Sequence, residues 1–251
     1  MKKWILAILV IVTVLILGAV AMVNMISGTS SVHQEALEQA FSDALQGRVK
    51  FEKLVNFNVA PQFIIDVEGM SVDPIKSGGS AHIKKFEIAF GFEDLALARR
   101  HIEKFNLIQL EAENIIDGID KITLDKMTIS NPDKGSLAYL EGEGALDDLP
   151  FKGRVKLKVF AEGRRSFALD DVNEAHIELG KLVADGSLEP FGGSGAMMTA
   201  VTFRYGDESC PAGTPTTFKV QDIFAKMYGV AKDVTTPSSF RAFCAKLVDG
   251  T

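Results

Sequence analysis

The chain has 251 residues, of which 47% are hydrophobic, and its 33 acidic residues outnumber its 27 basic residues, giving a formal net charge of −6. This acidic balance disfavours nucleic acid as a partner and provides no basic patch for anionic lipid headgroups. The hydrophobic content can bury a sizeable core, so the composition predicts an ordinary folded domain, with one domain as the default.

The N-terminus predicts a transmembrane anchor at residues 1–27. Lys2 and Lys3 precede an uncharged apolar run at 4–26, which as a helix spans roughly 34 Å and can cross a hydrocarbon core about 30 Å thick. No Lys or Arg follows until Arg48, so the charge bias places the N-terminus in the cytoplasm. We therefore predict a single-pass protein of a bacterial inner membrane with its bulk in the periplasm.

A cleaved signal peptide is the alternative interpretation of this segment. Ala19, Val20 and Ala21 form a small-x-small site after a mostly apolar stretch, as cleavage sites do. The apolar run continues beyond this site to Ile26, which favours the uncleaved anchor.

Residues 28–47 predict an amphipathic linker helix. Ser31 and Gln34 have the spacing of a capping box, and Gly47 ends the segment. Apolar residues at helical spacing give this helix one stripe that docks on the sheet that follows or on the membrane surface. They are Leu37, Ala40, Phe41, Ala44 and Leu45.

Residues 48–205 predict a mostly β fold, a curved antiparallel sheet of about ten strands shaped as a half-barrel or trough. Apolar residues alternate with polar ones along most of 47–61. This period of two is typical of a strand with one apolar face and one polar face. The alternation changes phase at Gly69, which predicts a bulge, and it changes phase again at Lys84 and Lys85. The short connections predict antiparallel order.

Residues 206–251 predict a helical C-terminal end that contains both cysteines. Ser238 or Ser239 is the predicted N-cap of the last helix. Cys210 and Cys244 would lie in an oxidising compartment, which favours a disulfide between them. Two unpaired buried thiols are the alternative.

Catalytic and metal-binding patterns are weak or absent in the sequence. The histidines are scattered without ligand spacing, and no HExxH or CxxC motif occurs. The sequence therefore predicts a protein that is not an enzyme and that uses no cofactor or metal.

The order of these features resembles the N-terminal region of the AsmA-like family over roughly residues 1–120. The similarity includes a strand that begins G-R-V at 47–49, Pro61 before the next strand, and the strands V-E-G-M-S-V at 67–72 and A-H-I-K-K-F-E-I-A-F at 81–90. It extends to DLALARRHIEKFNLIQLEAENI at 94–115. Family members are generally much longer than this chain.

The resemblance implies an anchored periplasmic protein whose sheet forms an apolar trough, similar to the bridge-like lipid transfer proteins. The expected partners are a phospholipid or other acyl lipid, the inner membrane and a longer envelope protein docked on a sheet edge. The expected lipid-binding side chains are Val49, Phe51, Val55, Phe57, Phe63, Ile65, Val67, Phe86, Ile88, Phe90, Phe92, Phe105 and Leu107.

Two alternatives remain open from the sequence. The same apolar face is what any sandwich or half-barrel turns toward a filled core. The protein is also similar in layout to the type II secretion protein N, which predicts a scaffold or interaction subunit of an envelope assembly instead of a lipid carrier.

Overall fold

The computed structural model describes most of the chain after residue 29, and the predicted anchor at 1–27 lies outside it. Among the described residues, none of the helices combines the length and the apolar character needed to cross a bilayer. The described residues are 30–45, 47–58, 62–74, 79–91, 101–116, 119–130, 137–162, 164–168, 174–191 and 195–249.

The described part of the chain is mostly β, as predicted, with three helices flanking the strands. The helices are α1 (Ser30–Leu45), α2 (Val220–Ala231) and α3 (Pro237–Asp249). The strands are β1 (Val49–Asn58), β2 (Gln62–Val72), β3 (Ser80–Gly91), β4 (His101–Ile102), β5 (Lys104–Ile116), β6 (Ile119–Ser130), β7 (Leu137–Leu146), β8 (Leu149–Glu162), β9 (Arg164–Ala168), β10 (Ala175–Leu179), β11 (Leu182–Phe191), β12 (Gly195–Tyr205), β13 (Glu208–Ser209) and β14 (Phe218–Lys219).

All strands belong to one antiparallel sheet that is not closed. Its main path runs β1-β2-β3-β5-β6-β7-β8-β10-β11-β12-β13. Strand β9 pairs with β8 and also, through two residue pairs, with β4. Strands β4 and β9 both contact β3, which β5, β6 and β7 separate from β8 along the main path, so this contact requires the sheet to curl toward itself.

The two faces of the sheet are separated by rows of directly paired residues. One polar row crosses ten strands: Asn56, Asp66, Glu87, Asn106, Thr128, Glu141, Arg154, His176, Asp185 and Thr202. The adjacent row has no polar side chain: Leu54, Val67, Phe86, Leu107, Met127, Gly142, Gly153, Ile177, Ala184 and Phe203. Because neighbouring side chains in a strand point to opposite faces, the polar row defines an outer face and the apolar row an inner face.

The predicted change of phase at Gly69 and Lys84 is confirmed, and it continues across the sheet. The bulge predicted at Gly69 is wrong, because the pairing register of β2 with β1 and with β3 is the same on both sides of this residue. Buried positions shift from Val67 to Met70 in β2 and from Ile83 to Phe86 in β3. Gly69 has φ +63°, a backbone conformation that glycine adopts at little cost. In β5 the same line of the sheet passes through Gln109, which also has positive φ.

The helices bury the two ends of the inner face. α1 packs against β1, where the rings of Phe41 and Phe51 meet edge to face with centroids 5.6 Å apart. α2 and α3 pack against β12, and Phe243 of α3 lies edge to face on Phe203 with centroids 5.4 Å apart.

The last helix has a different cap from the one the sequence predicts. Thr236, rather than Ser238 or Ser239, precedes the helix, and its Oγ1 accepts the backbone N–H of Ser239 at 3.2 Å. The backbone N–H of Thr236 in turn donates to Ser239 Oγ at 3.1 Å. Pro237 then takes the first helical position, where a missing N–H has no cost.

Side chains of α1 satisfy backbone groups along the outer edge of β1. Ser42 Oγ accepts the N–H of Val49, and Glu38 Oε1 accepts the N–H of Phe51, both at 2.9 Å. Gln34 Nε2 donates to the carbonyl of Phe51 at 2.9 Å. These bonds occupy part of a strand edge that could otherwise pair with another chain.

The segment 206–219 covers the outer edge of β12. Besides the short strands β13 and β14, the N–H of Cys210 donates to the carbonyl of Phe203 at 3.0 Å. The N–H of Val201 donates to the carbonyl of Thr216 at 2.9 Å. Cys210 and Cys244, the pair that the sequence favours, are joined by a disulfide that ties this segment to α3.

Candidate functional site

Most of the residues expected to bind lipid lie in the packed core of the β1–β5 half of the sheet. The side chains with 5% or less of their surface exposed are Val49, Phe51, Phe63, Ile65, Val67, Phe86, Ile88, Phe90, Phe105 and Leu107. Phe57 is half-buried. Phe92 lies outside the described residues.

The aromatic side chains of this group contact one another. Phe63 lies 5.9 Å from Phe57 and 6.3 Å from Phe90 between ring centroids. Phe86 and Phe105 meet edge to face at 6.0 Å. Such contacts add roughly 1 kcal/mol each to the free energy of area burial, so these residues stabilise the fold.

Val55 differs from the other expected residues because β1 has a bulge at this position. The pairing register with β2 shifts between Leu54 and Asn56. Leu54 and Phe57 pack against the core, whereas Val55 is 42% exposed. The phase change opposite Gly69 moves the inward-facing position from Phe51 to Leu54, and the bulge at Val55 moves it back to Phe57.

The inner face is more open over β6, β7 and β8. We call the five partly exposed side chains here the apolar strip: Met127, Ile129, Leu140, Phe151 and Val155. Within the strip, Gly142 of β7 and Gly153 of β8 are directly paired, so two adjacent positions of the inner face have no side chain. The strip is therefore less completely covered than most of the inner face on either side of it.

The packing of the core is interrupted at this strip. Ala138 and Leu157 are buried in a small cluster that is separate from the main core. Ile129, Leu140 and Val155 pack against both clusters and remain partly exposed. The apolar surface between the two clusters is thus continuous but incompletely covered.

Long side chains lie over the two glycines. A Cβ at Gly142 would come within 3.3 Å of Met127 Cε, and a Cβ at Gly153 within 3.0 Å of Phe151 Cζ. Met127 is flexible and Phe151 contacts the glycine through the far end of its ring. Rotation of these two side chains would open the space above the glycines without a change in the backbone.

Helix α2 closes one end of the strip. The ring of Phe224 lies against Phe151 with centroids 5.6 Å apart. The hydroxyl of Tyr228 donates to Asp147 Oδ2, while Asp147 Oδ1 accepts the N–H groups of Asp120 and Lys121 at 3.0 and 2.9 Å.

These hydrogen bonds shift the pKa values of both Tyr228 and Asp147. The bond to Asp147, aided by burial, raises the pKa of Tyr228 to about 12. The bond from Tyr228 lowers the pKa of Asp147, which stays ionised as the acceptor. The arrangement holds α2 to the turn between β7 and β8.

Two surface cavities lie away from the strip. One, of about 310 Å³, lies between α1 and β1 and is lined by polar residues that include Glu35, Glu38 and Arg48. The other, of about 190 Å³, lies beside Cys210 against Val201 and Phe203. Each exposes at least as much polar as apolar surface, so neither matches a hydrocarbon chain.

The outer face carries ion pairs. His176 has both ring nitrogens against carboxylates, Asp185 at 2.6 Å and Glu178 at 2.7 Å, and Arg204 Nε donates to Asp185 at 2.8 Å. Burial lowers the pKa of His176, but the two hydrogen bonds outweigh it and raise the pKa above its usual value. In the part of the chain that the structure describes, no three His, Cys, Asp or Glu side chains cluster as metal ligands would.

The sequence contains one signal for the glycine positions of the strip. In LEGEGAL at 140–146, glycines alternate with acidic residues, and a strand with glycine at alternate positions has no side chains on one face. Gly153 is the matching position on the next strand.

Comparison with known proteins identified no relative. No family model matches this chain, and neither the curated proteins nor the solved structures contain a match.

Proposed function

We propose that this protein binds an acyl lipid, with the hydrocarbon chain lying along the apolar strip on the inner face of the curled sheet. The observation that carries this proposal is the pair of glycines under partly exposed apolar side chains, in a face that is otherwise buried. The proposal includes the membrane anchor at 1–27, the periplasmic location and the AsmA-like relationship expected from the sequence.

The dimensions of the strip fit one acyl chain. Between Phe151 and Val155 it extends for roughly 13 Å at 3.3 Å per residue, and three strands make it about 10 Å wide. An acyl chain in one leaflet of a bilayer extends for about 15 Å. Most of one chain can therefore lie on the strip.

The expected affinity favours transient binding. A fully buried methylene contributes about 0.8 kcal/mol, so a dozen methylenes covered on one side contribute on the order of 5 kcal/mol before the cost of ordering the chain. An interaction of this strength corresponds to a Kd near 0.1–1 mM. It suits a protein that receives lipid from the membrane beside it and passes it on.

A photoactivatable phospholipid tests the proposal. The full chain is reconstituted in vesicles that contain a phospholipid with a diazirine on its acyl chain, irradiated and mapped by mass spectrometry. We expect adducts on peptides of β6–β8. Because a valine at each position would occupy the space that these side chains can vacate, the double variant Gly142→Val with Gly153→Val should lose at least about 80% of these adducts, a loss of about 1 kcal/mol in binding free energy.

A matched control separates this effect from a general change in the surface. Glu143→Val introduces the same side chain at the next position of β7, which is exposed on the outer face, and should leave the adducts unchanged. Equal labelling of the glycine variant and the original chain would contradict the proposal. Such a result would favour the scaffold role instead.

A further inference from the structure

A second feature lies on the opposite face of the sheet and is independent of the proposed lipid site. Asp66, Glu87 and Asn106 are direct neighbours in the polar row, on β2, β3 and β5. Their side chains therefore point to the same, outer face. Two carboxylates and one amide oxygen are brought together by three adjacent strands.

Two oxygen atoms of this group are buried without a hydrogen-bond partner. Asp66 is only 9% exposed, and its Oδ1 accepts no hydrogen bond. Oδ1 of Asn106, two strands away, is likewise buried and unpartnered. Buried polar atoms in folded proteins nearly always have a partner, and an unpaired carboxylate oxygen is among the most costly exceptions.

The nearby lysines pair with other oxygen atoms of these carboxylates, not with Oδ1 of Asp66. Lys85 Nζ lies 3.5 Å from Oδ2 of Asp66, and Lys104 Nζ lies 2.6 Å from Oε1 of Glu87. Neither lysine provides a hydrogen bond to Oδ1 of Asp66. The carboxylates farther along the row differ, since Glu141 pairs with Arg154 and Asp185 with Arg204.

We propose that Asp66, Glu87 and Asn106 bind one hard divalent cation of the calcium type. Both unpartnered atoms are acceptors, so the missing partner must be a hydrogen-bond donor or a cation. Calcium takes carboxylate and amide oxygens together and tolerates irregular geometry. Histidine and cysteine, which softer metals prefer, are not part of the set. The ion would join three strands at the outer surface of the β1–β5 half.

Direct binding of calcium tests this proposal. The full chain in a nonionic detergent is dialysed against CaCl2, and bound calcium is counted against a chelator-treated sample. We expect one calcium ion per chain and a rise in the unfolding temperature on adding CaCl2. Asp66→Asn should lower the affinity about tenfold or more, because ligand charge sets calcium affinity.

Two further variants make the result specific. Asp125→Asn removes an exposed carboxylate elsewhere on the sheet and should leave calcium binding unchanged. Lys85→Met removes the ammonium nearest to Asp66 and should tighten calcium binding. If the Lys85–Asp66 ion pair only stabilises the fold, Lys85→Met should leave calcium binding unchanged.

The proposal has two clear routes to failure. It is overturned if the original chain binds neither calcium nor magnesium. It is also overturned if binding occurs but is unaffected by both Asp66→Asn and Asn106→Leu, since the ion then lies elsewhere. Lipid labelling of β6–β8 does not enter either outcome, so the two proposals fail separately.

Discussion

Side chains on the inner face differ in how much a polar substitution should cost. Ile88 is fully buried among β2, β3 and β5, whereas Leu140 of the apolar strip remains partly exposed. A carboxylate at a buried site must lose its hydration or its charge, and both are costly. At a partly exposed site it can keep contact with water.

The first prediction compares Ile88→Asp with Leu140→Asp. We expect Ile88→Asp to cost more than about 4 kcal/mol and to abolish cooperative unfolding, and Leu140→Asp to cost about 1–2 kcal/mol. Thermal unfolding followed by near-UV circular dichroism measures both. Equal destabilisation would mean that Leu140 belongs to the packed core and that the strip is not open.

The second prediction concerns His176 and pH. Burial lowers its pKa, but the hydrogen bonds to Asp185 and Glu178 raise it further, so the folded state holds the proton more tightly than the unfolded state. Its contribution to stability is therefore complete below about pH 6.5 and is lost as the pH rises through the raised value.

The substitution His176→Gln isolates this contribution. Since the ring is about one third exposed, we expect a loss of less than about 1 kcal/mol. Urea unfolding at about pH 6 and about pH 9 should show a smaller difference in the variant than in the original chain. A pH dependence that His176→Gln leaves unaltered would assign it to other groups.

At the scale of elements, both long edges of the sheet are partly occupied by flanking segments of the same chain. α1 bonds the edge of β1 through Glu38 and Ser42, and the disulfide-linked segment 206–219 bonds the edge of β12. Covered edges protect a sheet from pairing with other chains. A partner that adds a strand, as the sequence led us to expect, would have to displace one of these segments wherever they bond the edge.

The third prediction tests the role of α1. Burial raises the pKa of Glu38, but hydrogen bonds from Lys50, Phe51 and Gln34 outweigh it and lower the pKa, so Glu38 holds the edge as a carboxylate. We expect Glu38→Leu to cost about 2 kcal/mol, because the N–H of Phe51 loses its acceptor. Glu35→Leu on the exposed side of the same helix is the control.

Hydrogen exchange of the Phe51 amide provides the second measurement for α1. We expect faster exchange in Glu38→Leu and an unchanged rate in Glu35→Leu. Equal rates in the two variants would show that α1 does not protect the edge.

The fourth prediction concerns the other edge. The disulfide closes a loop with a sequence separation of 34 residues, and the chain-entropy estimate gives a stabilisation of about 4 kcal/mol. We expect reduction, or Cys210→Ala with Cys244→Ala, to lower the free energy of unfolding by about this amount. The amides of Val201 and Cys210 should then exchange faster than those of β2. Protection that persists after reduction would mean that β12 is covered without the disulfide.

The sequence predicted features that depend on neighbouring residues better than features that depend on pairing across strands. The change of phase at Gly69 could be read directly, because the alternation and the glycine lie in one strand. The bulge at Val55 could not, because a strand that breaks its alternation twice has several possible registers. The pairing of Gly142 with Gly153 depends on a register that no single strand contains.

At the scale of the whole molecule, one face of a curled sheet is divided between a packed core and an open strip. The apolar row continues through both, so the sequence identified the face but not which part of it is filled. Burial is decided by what lies opposite, here α1 at one end and α2 with α3 at the other. The ten strands crossed by the polar row give a width near 50 Å at about 4.8 Å each, about one bilayer thickness. If the proposed lipid binding holds, this width favours passing lipid on over bridging two membranes.

The most direct test of lipid binding is photo-cross-linking in living cells. A benzoyl-phenylalanine at position 140, in place of Leu140, lies on the inner face, and one in place of Tyr139 lies on the outer face of the same strand. Our account predicts lipid adducts, identified by mass on the purified full chain, at position 140 and few or none at position 139. Adducts at neither position, or equally at both, would contradict it.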